Sequence, residues 1–583
     1  MAPSISPGLV FAEYEQGIRF KTGLGSRGLY EQNRLNERFF AGDQWAGARC
    51  GEDRPLVRHN ILKRIGDHKL AVIGSTPVSV TFSADGIPFT LPQQERVRQV
   101  REDCLRGRAP AGETLDEAER IHLATTALSD YFRVTAERVK LDDLKETVLR
   151  CAYIGGTGVL YTYWDDAIPT GLYADRAHTL PLTGDIGCEV LDIENVYFGD
   201  PNLDDVQSQP YILVAGRQSV HKLREEARRF GCSGREAENI QPDRETAYMA
   251  GEFGPDEPPE LQKATVLTRF WKGTDPDTGE TTVFAARVCR GAVVRGPWNL
   301  GIRLYPLAKF NWERRRGCAY GASEVTELIP NQIAINRMLT ASVWAMMMAG
   351  MPIMVVNGDV VTVPLTNDPG QIVTVYGGEE EVSSAVRYVQ PPAFSGQWED
   401  SVATLINATL TQSGANSALL GDVSPNNTSA ILAVREAASL PLTMIQRRFY
   451  SFCEDVARIW AEFWITQYGS RELRIEDERG VWYFPFDADR YRNLVLTARI
   501  DVSSSTLFGE SQTVETLNRL FEDGAIDVTQ YLSRLPKGTV PALPGLLREL
   551  KEQQEAGQAQ SPAQAEKQAE KLADKQAEKR PSA

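Results

Sequence analysis

Four carboxylates, Asp192, Asp200, Asp204 and Asp205, fall within one short stretch, and clustered hard oxygen ligands are what a divalent cation takes. With a metal bound, such a group could serve a metal-dependent nucleic-acid enzyme. Their spacing matches no ligand template, so solvated turn carboxylates are expected. The loop Gly155-Gly156-Thr157-Gly158 has the glycine content of a phosphate cradle. No Lys-Ser/Thr follows it and it does not fit GxGxxG, so a tight helix-to-strand turn is the better reading. TDPDTGE (residues 274–280) places glycine where a calcium loop needs its third ligand.

Two basic groups invite a phosphate or partner reading. Arg58, His59, Lys63, Arg64 and Lys69 lie on one side of a helix expected from near Val57, opposite Ile61, Leu62, Ile65 and Leu70. Arg314, Arg315 and Arg316 follow the strand-like LYPLAKFNWE. Solvated faces are expected in both places. The five histidines (His59, His68, His122, His178, His221) are dispersed, and the eight cysteines contain no CxxC pair. That is reduced, cytosolic cysteine usage, neither a disulfide framework nor a zinc site. No HExxH, GxSxG, P-loop or kinase-type signature occurs. The chain therefore leans structural rather than enzymatic, with no catalytic residue, metal ligand or cofactor assigned.

Composition bounds the elements that would position any site. The chain has 583 residues, enough for two to four domains, and is 42% hydrophobic and 24% charged. Its net charge of −15 and pI near 5.1 argue against a broad basic face that grips nucleic acid. The opening MAPSISPGLV is not a basic-then-apolar leader.

The anomalous stretch is 320–378. Between Asn331 and Gly378 only Arg337, Asp359 and Asp368 carry charge. Ile335, Met338, Leu339, Val343 and Met346 recur at helical spacing; Ser323 can cap the start, and Gly350 with Pro352 ends the helix. Pro330 predicts a kink or a fresh start. From Ile353 the sequence turns to β-branched runs (IMVV, VVTV, QIVTVY), and a second helix is expected from Gly396 to Gln412. Such uncharged flanks must be buried in the chain's own domain, in lipid, or against copies of itself. Met338–Gly358 nearly reaches the roughly 20 apolar residues of a membrane span, which keeps a membrane-associated scaffold as one alternative. Its interior Thr340, Ser342, Gly350, Pro352 and Asn357 argue against that.

Elsewhere, residues 1–30 read as a weakly patterned, glycine-rich arm, 78–92 as two strands about a turn at Asp85-Gly86, and 231–262 as a long loop. ATVLTRFWKG and TTVFAARVCRG form a hairpin. SGANSALLGDVSPNNTSA is a polar loop, and a very long helix runs from about Ser429 to Tyr468 with a kink at Pro441. Strands return at ELRIED, VWYFPFD and LVLTARIDV, followed by short helices. The tail AQAEKQAEKLADKQAEK has almost no apolar stripe, so frayed helix or disorder is expected there.

Four features in this order resemble the portal proteins of bacteriophages, the head-to-tail connectors, of the large podovirus-like type. They are RFFAGDQW followed by RHNILKRI; ETVLRCAYIGGTGVLYTYWD leading to FGDP; YGASEVTELIPNQIAINRM entering a helix that ends in GMPIMVV; and GANSALLGD before a proline-containing helix. The resemblance spans most of residues 30–470. It implies an α+β ring subunit with a mixed α/β wing, long stem helices, a small β clip, a kinked tunnel helix and a helical crown. The segments would be an arm at 1–30, wing at 31–315, stem helices at 316–350 and 396–412, clip at 351–395 and tunnel loop at 413–428. The tunnel helix would be 429–468, strands returning to the wing 469–505, the crown 506–555 and the tail 556–583.

The function so implied is a homo-dodecameric ring at one capsid vertex, in the virion and earlier in the host cytoplasm. It would be the channel for packaging and ejecting double-stranded DNA, contacted non-specifically. Further implied partners are the major capsid and scaffolding proteins, the terminase large subunit and head–tail adaptors, with no membrane. The site residues implied are Asn416, Ser417, Asp422, Ser424, Asn426, Asn427 and Thr428 in the tunnel loop, and Asn357, Asp359, Asn367 and Asp368 in the clip. Ile335, Leu339, Val343, Trp344 and Met347 would form the stem interface between copies.

Overall fold

The structure is a computed structural model. It describes residues 5–45, 56–74, 78–84, 93, 96–97, 99–100, 116–173, 181–243, 262–276, 278–350, 353–359, 361, 378–389, 397–415, 428–477, 480–492, 496–500 and 509–535. In chain order, the helices are α1 (Pro7–Thr22), α2 (Leu29–Ala41), α3 (Ile61–Gly74), α4 (Glu117–Val139), α5 (Leu141–Gly155), α6 (Val220–Arg229), α7 (Gly234–Glu238), α8 (Glu324–Gly350), α9 (Glu379–Ser384), α10 (Gln397–Gln412), α11 (Thr428–Gln467), α12 (Ala488–Tyr491), α13 (Gly509–Glu522) and α14 (Val528–Arg534). The strands are β1 (Val80–Ala84), β2 (Thr157–Tyr173), β3 (Pro181–Leu191), β4 (Val196–Phe198), β5 (Tyr211–Ser219), β6 (Lys263–Thr274), β7 (Thr281–Cys289), β8 (Ala292–Asn299), β9 (Leu307–Asn311), β10 (Ile353–Val356), β11 (Val386–Val389), β12 (Ser470–Asp477), β13 (Gly480–Asp487) and β14 (Leu496–Ile500). The chain is mixed α+β, as expected.

It divides into two compact units. The first comprises Met1–Gly74, Asp143–Tyr161 and Cys188–Phe452. Its main sheet is antiparallel, in the order β4-β5-β6-β7-β8. The predicted hairpin is β6–β7, in register from Val266 opposite Cys289 to Thr274 opposite Thr281. Successive strand residues point to opposite faces, so each face has its own cover. Ala264 and Val266 pack with Val220, Leu223 and Ala227 of α6, and Leu267, Leu213 and Val288 pack with Val10, Phe11 and Tyr14 of α1.

That cover corrects the expectation for residues 1–30. Most of this stretch is α1, with Pro7 at its first turn and Val10 fully buried. Gly17 is not a helix breaker here. A Cβ at that position would lie 2.6 Å from the Tyr197 ring, so the missing side chain lets α1 sit against β4. Within 231–262, Gly234–Glu238 is the short helix α7 rather than loop, capped by Ser233 and Glu236 in a capping box. The glycine run is the expected helix-to-strand turn: α5 ends at Gly155, Gly156 takes φ 85°, and β2 starts at Thr157. TDPDTGE closes β6–β7, with the Asp275 amide donating to the Glu280 carbonyl at 2.8 Å.

The second unit comprises Ser75–Asp142, Thr162–Gly187 and Cys453–Ala583. Helix α4 starts in a capping box of Asp116 and Glu119, and its Phe132 lies 4.9 Å from Trp460 of α11, ring centre to ring centre. Trp464 and Phe82 extend this aromatic core. Asp185 is buried there, accepting from the Tyr468 hydroxyl at 2.6 Å and from Arg138 at 3.0 Å. Strand β1 pairs antiparallel with β14 (Val80 opposite Ile500); residues 85–92, where the second strand about Asp85-Gly86 was expected, lie outside the described set. ELRIED and VWYFPFD form the hairpin β12–β13. Helix α11 runs unbroken through Pro441 for 40 residues, within one residue of its expected bounds at each end.

Candidate functional site

The uncharged stretch is built on α8. The Ser323 hydroxyl accepts from the Val325 amide at 3.2 Å and donates to the Tyr153 carbonyl at 2.7 Å, tying the helix start to α5. Glu324 accepts from two distant side chains. One of its oxygens accepts from Lys69 of α3 at 2.6 Å, and the other accepts from the Trp312 indole at 3.0 Å. Lys69 also donates to the Ser413 carbonyl just past α10. Lys69 is buried, so it does not belong to the solvated basic face assigned to it from the sequence; Arg58, His59, Lys63 and Arg64 are exposed as expected.

Pro330 lies inside α8, which continues to Gly350, and past it the helix carries Gln332, Asn336 and Thr340 at intervals of four. They receive every second amide of the preceding segment. Ile61 N donates to Gln332 Oε1 at 3.0 Å, His59 N to Asn336 Oδ1 at 3.0 Å, and Val57 N to Thr340 Oγ1 at 3.1 Å. The match is geometric: four helical residues rise about 6 Å, and two extended residues about 6.6 Å. Gln332 Nε2 returns a bond to the His59 carbonyl at 2.6 Å, and Asn336 Nδ2 donates to Gln44 at 2.5 Å. Gln332 and Asn336 are 1% and 2% exposed. This ladder was missed from sequence, although its spacing was readable there.

Beyond Thr340 the character changes. Asn331 of α8 donates to Gln412 at the end of α10 at 3.0 Å. Met346 and Met347 of α8 are exposed by 47% and 45%, Trp398 of α10 by 43%, and Met354 and Val355 of β10 by 40% and 52%. Among the described residues, strand β10 pairs with β11 in a two-stranded antiparallel sheet (Ile353 opposite Val389).

Of the residues assigned to the stem interface, Ile335 is 0% exposed and already covered within this chain, so it cannot meet a second copy without rearrangement. Leu339, Val343 and Trp344 are half-buried and Met347 is open. In the clip, Asn357 and Asp359 are exposed, with the Asp359 amide bonded to Asn357 Oδ1 at 3.1 Å; Asn367 and Asp368 lie outside the described residues. So do Asn416, Ser417, Asp422, Ser424, Asn426 and Asn427, while the Thr428 backbone opens α11.

The acidic quartet serves the backbone. Asp192 accepts from Glu194 N at 2.9 Å, Asp200 from Asn202 N at 3.0 Å and Asp205 from Gln207 N at 3.1 Å, while Asp204 pairs with Lys309 at 2.9 Å. Among the described residues no three His, Cys, Asp or Glu converge as metal ligands do. Also among those residues, no helix is long and apolar enough to cross a membrane.

One buried cation escaped the sequence reading. Lys21 of α1 donates to the Ile193 and Glu194 carbonyls at 2.6 and 2.9 Å and sits 3.6 Å from the centre of the Tyr197 ring. Burial lowers its pKa well below the ordinary lysine value, against the raising effect of Asp192 and Glu194. Burial also pushes the Glu194 carboxyl up to about 7, helped by the charge of Asp192. This arrangement fastens α1 to the turn before β4.

No family model and no curated protein matches the chain. Its function must therefore be argued from its own surfaces. Among the described residues the exposed apolar side chains of α8, α10 and β10 are the strongest candidate site.

Proposed function

We propose that this chain is a portal subunit: one of a dodecameric ring at a capsid vertex, through which double-stranded DNA is packaged and ejected. The observation that carries the reading is the set of five exposed large apolar side chains, Met346, Met347, Met354, Val355 and Trp398, on α8, β10 and α10. Exposed apolar area of this kind marks an interaction surface. Copies related by a closed rotation would cover it in every subunit.

In this reading α8 and α10 are the stem, β10 and β11 belong to a clip that meets the terminase and later the head–tail adaptors, and α11 lines the tunnel. The surplus of 78 acidic over 63 basic residues suits a channel that must let DNA slide, because carboxylates repel phosphate. The subunit is not itself the motor, and hydrolysis of ATP falls to the terminase.

Negative-stain electron microscopy with light scattering on detergent-free full-length protein tests this. Rings with a central hole and the mass of a dodecamer of 64.7 kDa chains are expected. A monomer at every concentration, with no rings, overturns the ring reading.

A further inference from the structure

We infer that the seat of Lys21 is a pH-responsive clasp that fastens α1 to the sheet it covers. The clasp lies wholly within the first unit and is independent of the ring reading.

The geometry sets the clasp at the hinged end of α1. Lys21 lies in the last turn of the helix, and residues 23–28, which lead to α2, hold Gly25 at φ 73° and Gly28 at φ 78°. A Cβ at Gly28 would lie 2.6 Å from the Thr22 carbonyl oxygen, so the chain is drawn close under the helix end. Nearer the start of α1, Glu13 accepts from Arg269 through both oxygens, at 2.8 and 2.9 Å. At the other end the Lys21 ammonium takes over. Besides the two carbonyls of the 193–195 turn, it has the rings of Tyr197, Tyr320 and Tyr30 around it, with centres at 3.6, 5.3 and 5.8 Å. An ammonium withdrawn from water is held at a cost that depends on its own charge and on the charges around it.

Those charges come from every element packed there. The turn supplies Asp192, which is exposed, and Glu194, which is half-buried. Helix α2 supplies Asn33, hydrogen-bonded to the Glu194 carboxyl, together with the exposed Arg34 and Glu37. Arg19 of α1 and Arg150 of α5 are exposed. The Cys151 thiol of α5 is pushed up to about 11 by burial and by Asp192 and Glu37. Burial raises the Tyr197 and Tyr320 hydroxyls too, so these residues contribute rings and not charge. That leaves Lys21 and Glu194 as the two groups whose ionisation the fold opposes near neutral pH.

Their effects run in opposite directions. Burial, with the charge of Asp192, holds the Glu194 carboxyl up at about 7 against an ordinary value of 4.5. The seated state therefore keeps this proton better than an opened one, and the hold is full below about pH 4.5 and lost as pH rises to about 7. Burial lowers Lys21, so the seated state gives up its proton more readily, and the hold returns as pH climbs from that lowered value toward 10.5. The clasp is weakest near neutral pH and tighter on either side. Whole-protein stability has the opposite habit, with a maximum between about pH 5 and 8.

Hydrogen exchange of the full-length protein between pH 5 and 9 tests this, read by mass spectrometry over α1 and corrected for the intrinsic rate at each pH. Protection of the last turn of α1 should pass through a minimum near pH 7, with opening rising by up to about tenfold per pH unit on the acid side. Glu194→Gln should abolish the acid-side fall and leave the alkaline-side rise, while Lys21→Met should abolish the rise. Glu13→Gln is the control: it loosens α1 at Arg269, so protection should drop by a similar factor at every pH with the minimum in place. Should Lys21→Met unseat α1 altogether, Glu194→Gln still decides the matter. Protection of the wild type that does not vary with pH, or an acid-side fall that persists in Glu194→Gln, overturns the inference.

Discussion

The two halves of α8 answer the same question differently. Apart from Glu324, Glu327 and Arg337 neither half carries charge, and a weakly charged helix must be covered. The half from Glu324 to Thr340 is covered by the chain itself: Glu324 joins Lys69 and Trp312, and Gln332, Asn336 and Thr340 hold the backbone of residues 57–61. The half beyond it leaves Met346 and Met347 exposed, as are Trp398 of α10 and Met354 and Val355 of β10. Low charge alone does not distinguish an internal face from an external one. The kind of uncharged residue does, since amides and hydroxyls at fours serve a partner backbone and methionines serve an adaptable apolar one.

The sharpest way to break this contrast is to remove Lys69. The pair is deeply placed, with side chains 5% and 13% exposed, so Lys69→Met leaves the Glu324 carboxylate without its cation. A loss of about 3–5 kcal/mol is expected from urea unfolding. Adding Glu324→Gln should return part of it, because the uncompensated charge is gone. A single variant as stable as the wild type would mean that the start of α8 is not held from within.

The ladder comes next. Asn336→Leu removes the acceptor of the His59 amide and the donor to Gln44, and Gln332→Leu does the same to Ile61 and the His59 carbonyl. Each should cost about 1–3 kcal/mol. Hydrogen exchange should quicken at the amides of His59 and Ile61 in particular. Since the two residues also bond to each other at 3.1 Å, the double variant should lose less than the sum of the singles.

Elements whose own residues decide them were legible in the sequence. The apolar stripe of α11 and the alternating runs of β6 and β7 fix their type locally, and the structure places them where the pattern does. What failed depended on a distant partner. Residues 1–30 looked like an arm because Gly8 and Gly17 count as breakers, yet Gly17 is where Tyr197 must fit. Strand β1 finds a neighbour in β14, far along the chain, a pairing that no local signal announces. Lys69 reads as one of five basic residues until Glu324 is placed against it. The candidate assembly surface was half legible: the low charge of 331–378 marked the element, but the sequence could not separate Ile335, fully buried, from Met347, open. The interval of four joining Gln332, Asn336 and Thr340 was a readable signal for that division, because polar residues at fours inside an apolar helix mark a face with its own partner.

The smallest expected effect on folding belongs to the far end of α8, and there it is the contrast that is tested. Met346→Ser/Met347→Ser changes side chains already about half in water, so the monomer's stability should move by no more than about 0.5 kcal/mol. If these methionines are covered by another copy, the same change replaces buried apolar area by hydroxyls at each repeated interface, and light scattering should report a shift from ring to smaller species. The matched control is Asn336→Leu, which should lower Tm while leaving the oligomer's mass in place at temperatures where the fold persists. A methionine variant that lowers Tm as much as the ladder variants, with unchanged mass, would show that the far end too is held within the chain and that the two halves of α8 do not differ in kind.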